Sequence, residues 1–155
     1  MDDEAITKKL NVLSKIAFEF NKSNITWAIG GSLLLFFKDK CQEFHDIDIL
    51  IVESDVKMVN DILSNMWKRQ KPNLNAQYKT KYFIEYVIDD VNIDVMANFI
   101  IVNNDIEYDC SLKKEQINEY INISNQIIPL HSLDLWKKYY YLMGRNEKVM
   151  MIEKE

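Results

Sequence analysis

Three aspartates and a pair of glycines hold most of the chemistry legible in this chain. Asp46 and Asp48 lie in "DIDILIV" (46–52), a short, β-branched, apolar run of the kind that forms a buried strand. In a strand, residues two apart point to one face. The two carboxylates therefore project together, while Ile47 and Ile49 turn the opposite way. Neighbouring carboxylates repel, and without a cation one of them is pushed toward protonation. A divalent cation removes the conflict, and Mg²⁺ prefers oxygen ligands: one or two carboxylates, completed by phosphates and water. Asp94, in "NIDVM", supplies a third carboxylate on another apolar run. If the two strands are neighbours, the three can hold two metal ions about 3.5–4 Å apart. Such a pair clamps the attacking and leaving oxygens of an in-line displacement, and Asp94 could also accept the nucleophile's proton. The plainer alternative makes Asp46 a turn residue before the strand and Asp48 a charge that protects an edge strand from aggregation.

Gly30, Gly31 and Ser32 stand upstream, at the junction of a short apolar run and a helical one. Glycine lets backbone approach a ligand closely and adopts dihedrals other residues avoid. The free amides of a helix start suit phosphate, and Ser32 adds a hydroxyl. A tight strand-to-helix turn would use the same residues. No GxxxxGK[ST] pattern is present, so this is not a Walker loop. The order strand, Gly-Gly-Ser, helix, Asp-x-Asp strand is what links the glycines to the carboxylates.

The elements that must position these groups follow from periodicity. Ile6, Leu10, Leu13, Ile16, Ala17 and Phe20 recur at steps of three or four, which predicts an amphipathic helix over 3–22. A strand is expected over "ITWAI" (25–29), a helix over "GSLLLFFK" (31–38) and a strand over 46–52. In "ESDVKMVNDILSNMWKRQ", Val56, Val59, Ile62, Leu63 and Met66 share a helical face, with Ser54 as the expected N-cap. Strands are expected over 78–89 and 91–101, joined by a hairpin turn at Asp89-Asp90. "EYDC" and "QIIPL" suit short edge strands. "SLDLWKKYYYLMGR" (132–145) reads as a helix capped by Ser132 and stopped at Gly144, and "NEKVMMIEKE" as the start of a last short helix. The sum is a mixed α/β (α+β) fold: a small, partly antiparallel sheet flanked by helices. At 155 residues the chain reads as one domain, with a core over about 25–101 and a C-terminal helical part over about 132–155.

Composition narrows the partners. Apolar residues make up 48% and charged residues 28%, ordinary for a globular protein. No run of about 18 apolar residues spans a membrane, and the acidic start "MDDEAITKKL" has no apolar signal core. Cys41 and Cys110 lack metal-binding spacing, read as free thiols, and suit a reducing compartment, hence the cytoplasm. The net charge is −5, with Lys and Arg scattered except for a loose cluster at "WKRQK" (67–71) that reads as solvated surface. Non-specific nucleic-acid binding is disfavoured, and a small or cationic partner fits better. Trp27, Tyr78, Tyr82 and Trp136 could stack on a base or acceptor, or simply fill the core.

"IGGS", a spacer of 13 residues and "DIDI" together resemble the signature of the nucleotidyltransferase superfamily, the polymerase-β-like fold. "NIDVM" is similar to that family's third carboxylate strand, and "IPLHSLDLWKKYYYLMGRNEK" to its downstream helix. The likeness spans roughly Trp27 to Lys148 and is strongest to small bacterial antibiotic nucleotidyltransferases and toxin–antitoxin nucleotidyltransferase-like proteins. It implies transfer of a nucleoside monophosphate from an NTP to a hydroxyl, releasing pyrophosphate. Asp46, Asp48 and Asp94 would be catalytic and bind Mg²⁺, with Mn²⁺ as the other candidate. Gly30, Gly31 and Ser32 would hold nucleotide phosphates, and so would Lys137 or Lys138. The acceptor would be a small molecule, a tRNA or a protein, and a homodimer could supply a missing wall. A non-catalytic nucleotide-binding or toxin–antitoxin interaction module is the other reading of the same fold. The chain departs from antibiotic-modifying relatives in carrying Lys38 and Lys40 where arginines are common, and His45 directly before Asp46. His45 is then a strand-entry residue or a catalytic one.

Overall fold

The computed structural model describes residues 3–66, the backbone of 68–69, and residues 81–154. The side chains of the 67–71 basic cluster, and Tyr78, lie outside the described residues. The chain opens with α1 (Asp3–Lys22), which buries Leu13, Ile16, Ala17 and Phe20 as its periodicity requires, joined by Val12. Strand β1 (Trp27–Gly30) runs directly into α2 (Gly31–Phe37), and β2 (Ile47–Ile51) follows. Next come α3 (Val56–Met66), β3 (Lys68–Arg69), β4 (Tyr82–Ile88) and β5 (Val91–Ala97). Strands β6 (Ile100–Asn103), β7 (Ile106–Asp109), β8 (Glu119–Ile123) and β9 (Gln126–Leu130) precede α4 (Leu133–Met143) and α5 (Asn146–Glu153).

The main sheet has seven strands in the order β3-β4-β5-β2-β1-β9-β8, with β6 and β7 forming a separate pair. β2 lies parallel to β5 and antiparallel to β1, so the sheet is mixed. Its strands alternate between faces. In β4, Ile84, Tyr86 and Ile88 are buried while Phe83, Glu85 and Val87 are only partly so. α3 closes over the buried side, where Tyr86 Oη donates to Asn60 Oδ1 at 2.6 Å. α1 lies along the β8–β9 hairpin, with Ser14 and Asn21 donating to the carbonyls of Ile123 and Ile127.

Local signals set most boundaries. Asp89 and Asp90 turn the β4–β5 hairpin with φ of 47° and 67°, the left-handed pair that a two-residue turn uses. Ser132 caps α4, its Oγ accepting from Leu135 N at 3.2 Å, and Gly144 ends it at φ 77°.

Four expectations are corrected. Ser54 does not cap α3; it lies inside a 3₁₀ turn (Glu53–Asp55), and Asp55 spends its carboxylate on Thr26 N–H at 2.8 Å. The strand expected over 91–101 breaks after Ala97, because Asn98 takes φ 53° and sends β6 to the small sheet. "QIIPL" is not an edge strand: β9 is interior, and the edge belongs to β8, which its mixed polarity concealed. Pro129 is tolerated there because β9 meets β1 only beyond it, at Leu130 and through His131 N–H donating to Ile29 O at 3.0 Å. Finally, β2 begins at Ile47, so Asp46 occupies the bend just before the strand rather than its first position.

Candidate active site

Register brings two of the three aspartates face to face. β2 and β5 pair with Asp48 opposite Asp94. Gly30 pairs with Asp48 on the other side, and Glu85 pairs with Asp94 on β4. Partners in register share a face, so Gly30, Asp48, Asp94 and Glu85 form a row across four strands. Asp48 and Asp94 are hydrogen-bonded to each other. Asp48 is held well above the usual carboxylate range, first by burial, then by the charges of Asp94 and Asp46. Asp94 is pushed up to about 6, by burial and by the charges of Asp46 and Glu85. The crowding of charge therefore favours one proton shared by the pair, which titrates as a unit. Arg145 acts on Asp48 in the opposite direction. Asp46 is placed by a loop pinned at Phe44, whose ring packs on Phe36 and whose carbonyl accepts from Lys9 Nζ at 2.9 Å.

The glycines are explained by what sits against them. Gly31 has φ 61°, a conformation that strains other residues, and a Cβ there would fall inside the Asp48 carboxyl group. A Cβ on Gly30 would fall inside the indole of Trp136. Both glycines are buried, and of this turn Ser32 is the residue that lines the adjoining cleft.

That cleft holds about 410 Å³. Asp46, Asp48 and Asp94 line it together with an apolar and aromatic wall that includes Phe83, Met96, Phe99, Trp136 and Tyr140. Arg145 and Lys148 also line it. Both stand in the tail that resembles the family's downstream helix, where Gly144-Arg145 matches a common Gly-Arg ending, but the sequence assigns neither a role. The left-handed Gly144 is the signal that could have found them, since it turns the chain so that the start of α5 meets the cleft. Arg145 also lies over the Tyr140 ring, 5.5 Å from its centroid. Lys137 and Lys138 do not line the cleft: Lys137 pairs with Glu153 at 3.9 Å, and Lys138 acts on the buried Cys110. His45 is an exposed lining residue, 3.9 Å from Glu43. Trp27 is core, its ring edge-on to Phe20, and Tyr82 packs against the core without lining the cleft.

The donor set is all oxygen, and two carboxylates in register need neutralising, which a shared proton or a divalent cation achieves. Asp48 and Asp94 therefore fit Mg²⁺ bound in the usual way, by one or two carboxylates plus phosphate and water. Among the described residues, no three His, Cys, Asp or Glu side chains converge closely enough to cage a metal ion unaided. Asp46 joins the pair through its charge.

The sheet and its flanking helices form a nucleotidyltransferase-like α/β fold. The chain is similar to TM1012 of Thermotoga maritima, described as a candidate nucleotidyltransferase, at TM-score 0.76 and 23% identity over 95% of this chain and 91% of that one. It is similar to ANT(2'')-Ia, seen with adenylyl-2''-tobramycin, at TM-score 0.66 and 12% identity over 94% and 87%. A further likeness is to the lincosamide antibiotic adenylyltransferase LnuA with lincomycin bound, at TM-score 0.58 and 13% identity over 99% and 98%. No family profile and no curated protein sequence matches the chain. Among the described residues, no helix is long and apolar enough to cross a membrane.

Proposed function

We propose that this protein is a nucleotidyltransferase that moves a nucleoside monophosphate from an NTP to a hydroxyl of a small-molecule acceptor. The observation that supports it is the Asp48–Asp94 register pair in a cleft also lined by Arg145 and Lys148. Carboxylates to accept a proton and cations to hold phosphate are what phosphoryl-type transfer asks of a protein, because its catalysis is mostly positioning and charge neutralisation. ANT(2'')-Ia is seen with adenylyl-2''-tobramycin and LnuA is a lincosamide antibiotic adenylyltransferase with lincomycin bound, and a cleft of about 410 Å³ suits an acceptor of that scale.

Arg145 and Lys148 would hold the triphosphate, and Ser32 would donate to it. The acceptor oxygen would bond to the α-phosphorus as the bond from that phosphorus to the bridging oxygen breaks, and pyrophosphate would leave. Asp94, on the strand beside Asp48 and lining the cleft, would take the hydroxyl proton. Mg²⁺ held by Asp48 and Asp94, with Asp46 beside them, would supply Lewis-acid stabilisation of the phosphate oxygens. The test is pyrophosphate release from each of the four NTPs with a panel of hydroxylated small molecules. Asp48→Asn should lose turnover and lose stabilisation by Mg²⁺ plus NTP, while its metal-free stability holds or rises. Full activity in that variant would refute the assignment.

A further inference from the structure

Behind the cleft wall lies a buried polar chain that the proposed chemistry does not use. His131 is 1% exposed, the one buried polar or charged residue among the described residues. Its Nδ1 accepts from Trp136 Nε1 at 2.9 Å, and its Nε2 lies 3.0 Å from Gln116 Oε1. The indole N–H can only donate, so Nδ1 is the acceptor and the proton is on Nε2, donated to Gln116. That same Gln116 oxygen also accepts from Lys113 N at 2.9 Å. Burial pushes the imidazole down to about 4, so it stays neutral in this tautomer.

The far end of the chain reaches the candidate site. The Trp136 ring occupies the space that a side chain on Gly30 would need, and Gly30 is the register partner of Asp48. Trp136 thus stands in for the missing side chain, on the face and at the level of Asp48, and lines the cleft with it. Phe99 stacks on the indole at 6.1 Å and 25°, and Tyr140 tilts against it at 5.4 Å. Tyr139 meets it edge-on at 5.4 Å. To this packing the hydrogen bond to a buried, tautomer-locked acceptor adds a fixed direction, which ring contacts alone lack.

We propose that His131 is a positioning residue: it anchors the Trp136 indole against Gly30, and that anchored ring holds the wall beside Asp48 in the arrangement that admits NTP. This rests on the nucleotidyltransferase reading. The conservative variant is His131→Asn, whose side-chain oxygen can replace Nδ1 as acceptor from Trp136. The disruptive one is His131→Leu, which keeps bulk and removes the acceptor. Trp136→Phe removes the donor and keeps an aromatic ring.

The experiment measures Mg²⁺–NTP affinity by calorimetry for wild type and the three variants, at a temperature where circular dichroism finds each folded. The indole N–H resonances give a second readout. We expect about tenfold weaker binding in His131→Leu and in Trp136→Phe, because a ring no longer anchored must be ordered when NTP binds. His131→Asn should bind within about twofold of wild type. The Trp136 indole proton should be protected from exchange in wild type and His131→Asn and exposed in His131→Leu. If His131→Leu binds NTP as wild type does, or if His131→Asn loses as much as His131→Leu, the positioning role is overturned and His131 is a core filler. If wild type itself binds none of the four NTPs, the proposed function falls, and the role of His131 toward it falls too.

Discussion

Replacing Asp94 by asparagine should stabilise the metal-free protein at neutral pH and leave it unchanged in acid. Asp94 is raised from 3.8 to about 6 by burial and by Asp46 and Glu85. A carboxyl whose pKa is higher folded than unfolded contributes stability that is fully present below about pH 4. That stability is lost as pH rises through about 6. A displacement of that size corresponds to about 3 kcal/mol, lost by about pH 7.5. Asp48, raised by the same neighbours, adds in the same direction, and the two titrate as a pair. A side-chain amide cannot ionise, so the Asp94→Asn variant should escape the penalty. Urea unfolding in EDTA should find it about 3 kcal/mol more stable than wild type at about pH 7.5. At about pH 3, where the carboxyl is protonated in both states, the two should be equal. Mg²⁺ with NTP should then stabilise the wild type alone and narrow the gap. A variant less stable than wild type at neutral pH, or a difference that ignores pH, would show that the row is not a repulsive cluster, and the argument for a cation there would fail.

Other substitutions test the remaining parts of the site. Gly31→Ala should cost about 1–2 kcal/mol of stability for its left-handed backbone. Its Cβ should also displace the Asp48 carboxyl and weaken Mg²⁺–NTP binding, so melting temperature and affinity should fall together in one sample. Arg145→Ala and Lys148→Ala should each weaken NTP binding by about 1.5–3 kcal/mol, the worth of a hydrogen bond to a charged group. Lys137→Ala and Lys138→Ala should leave it unchanged, because neither lines the cleft; calorimetry on the four variants decides. Ser132→Ala should lower stability by about 1 kcal/mol through loss of the α4 cap, read from urea midpoints.

Much of this molecule follows from features that are local in the chain. Strand parity set Asp48 apart from Ile47 and Ile49, and the covalent geometry of an extended backbone guarantees that alternation, whereas Asp46 lies in the bend before the strand, where parity does not reach. The Asp89-Asp90 turn, the Ser132 cap and the Gly144 stop are likewise satisfied within a few residues of themselves. The site required distant segments. Nothing near Asp48 in sequence says that its partner is Asp94, or that Glu85 stands next in the row. That register follows from the other face of the sheet, where Ile47 and Ile49 must be buried beside Ile93 and Val95. A one-residue slip would turn those apolar side chains to the cleft and the carboxylates into the core. Lys137 and Lys138 looked equivalent to Arg145 and Lys148 along the chain, since charge alone does not reveal which way a helix faces. The packing of α4 and α5 puts the second pair in the cleft. Even Gly30 and Gly31 had a reason outside their own turn: the Trp136 ring and the Asp48 carboxyl fill the volume that side chains there would need, and two atoms cannot share one space.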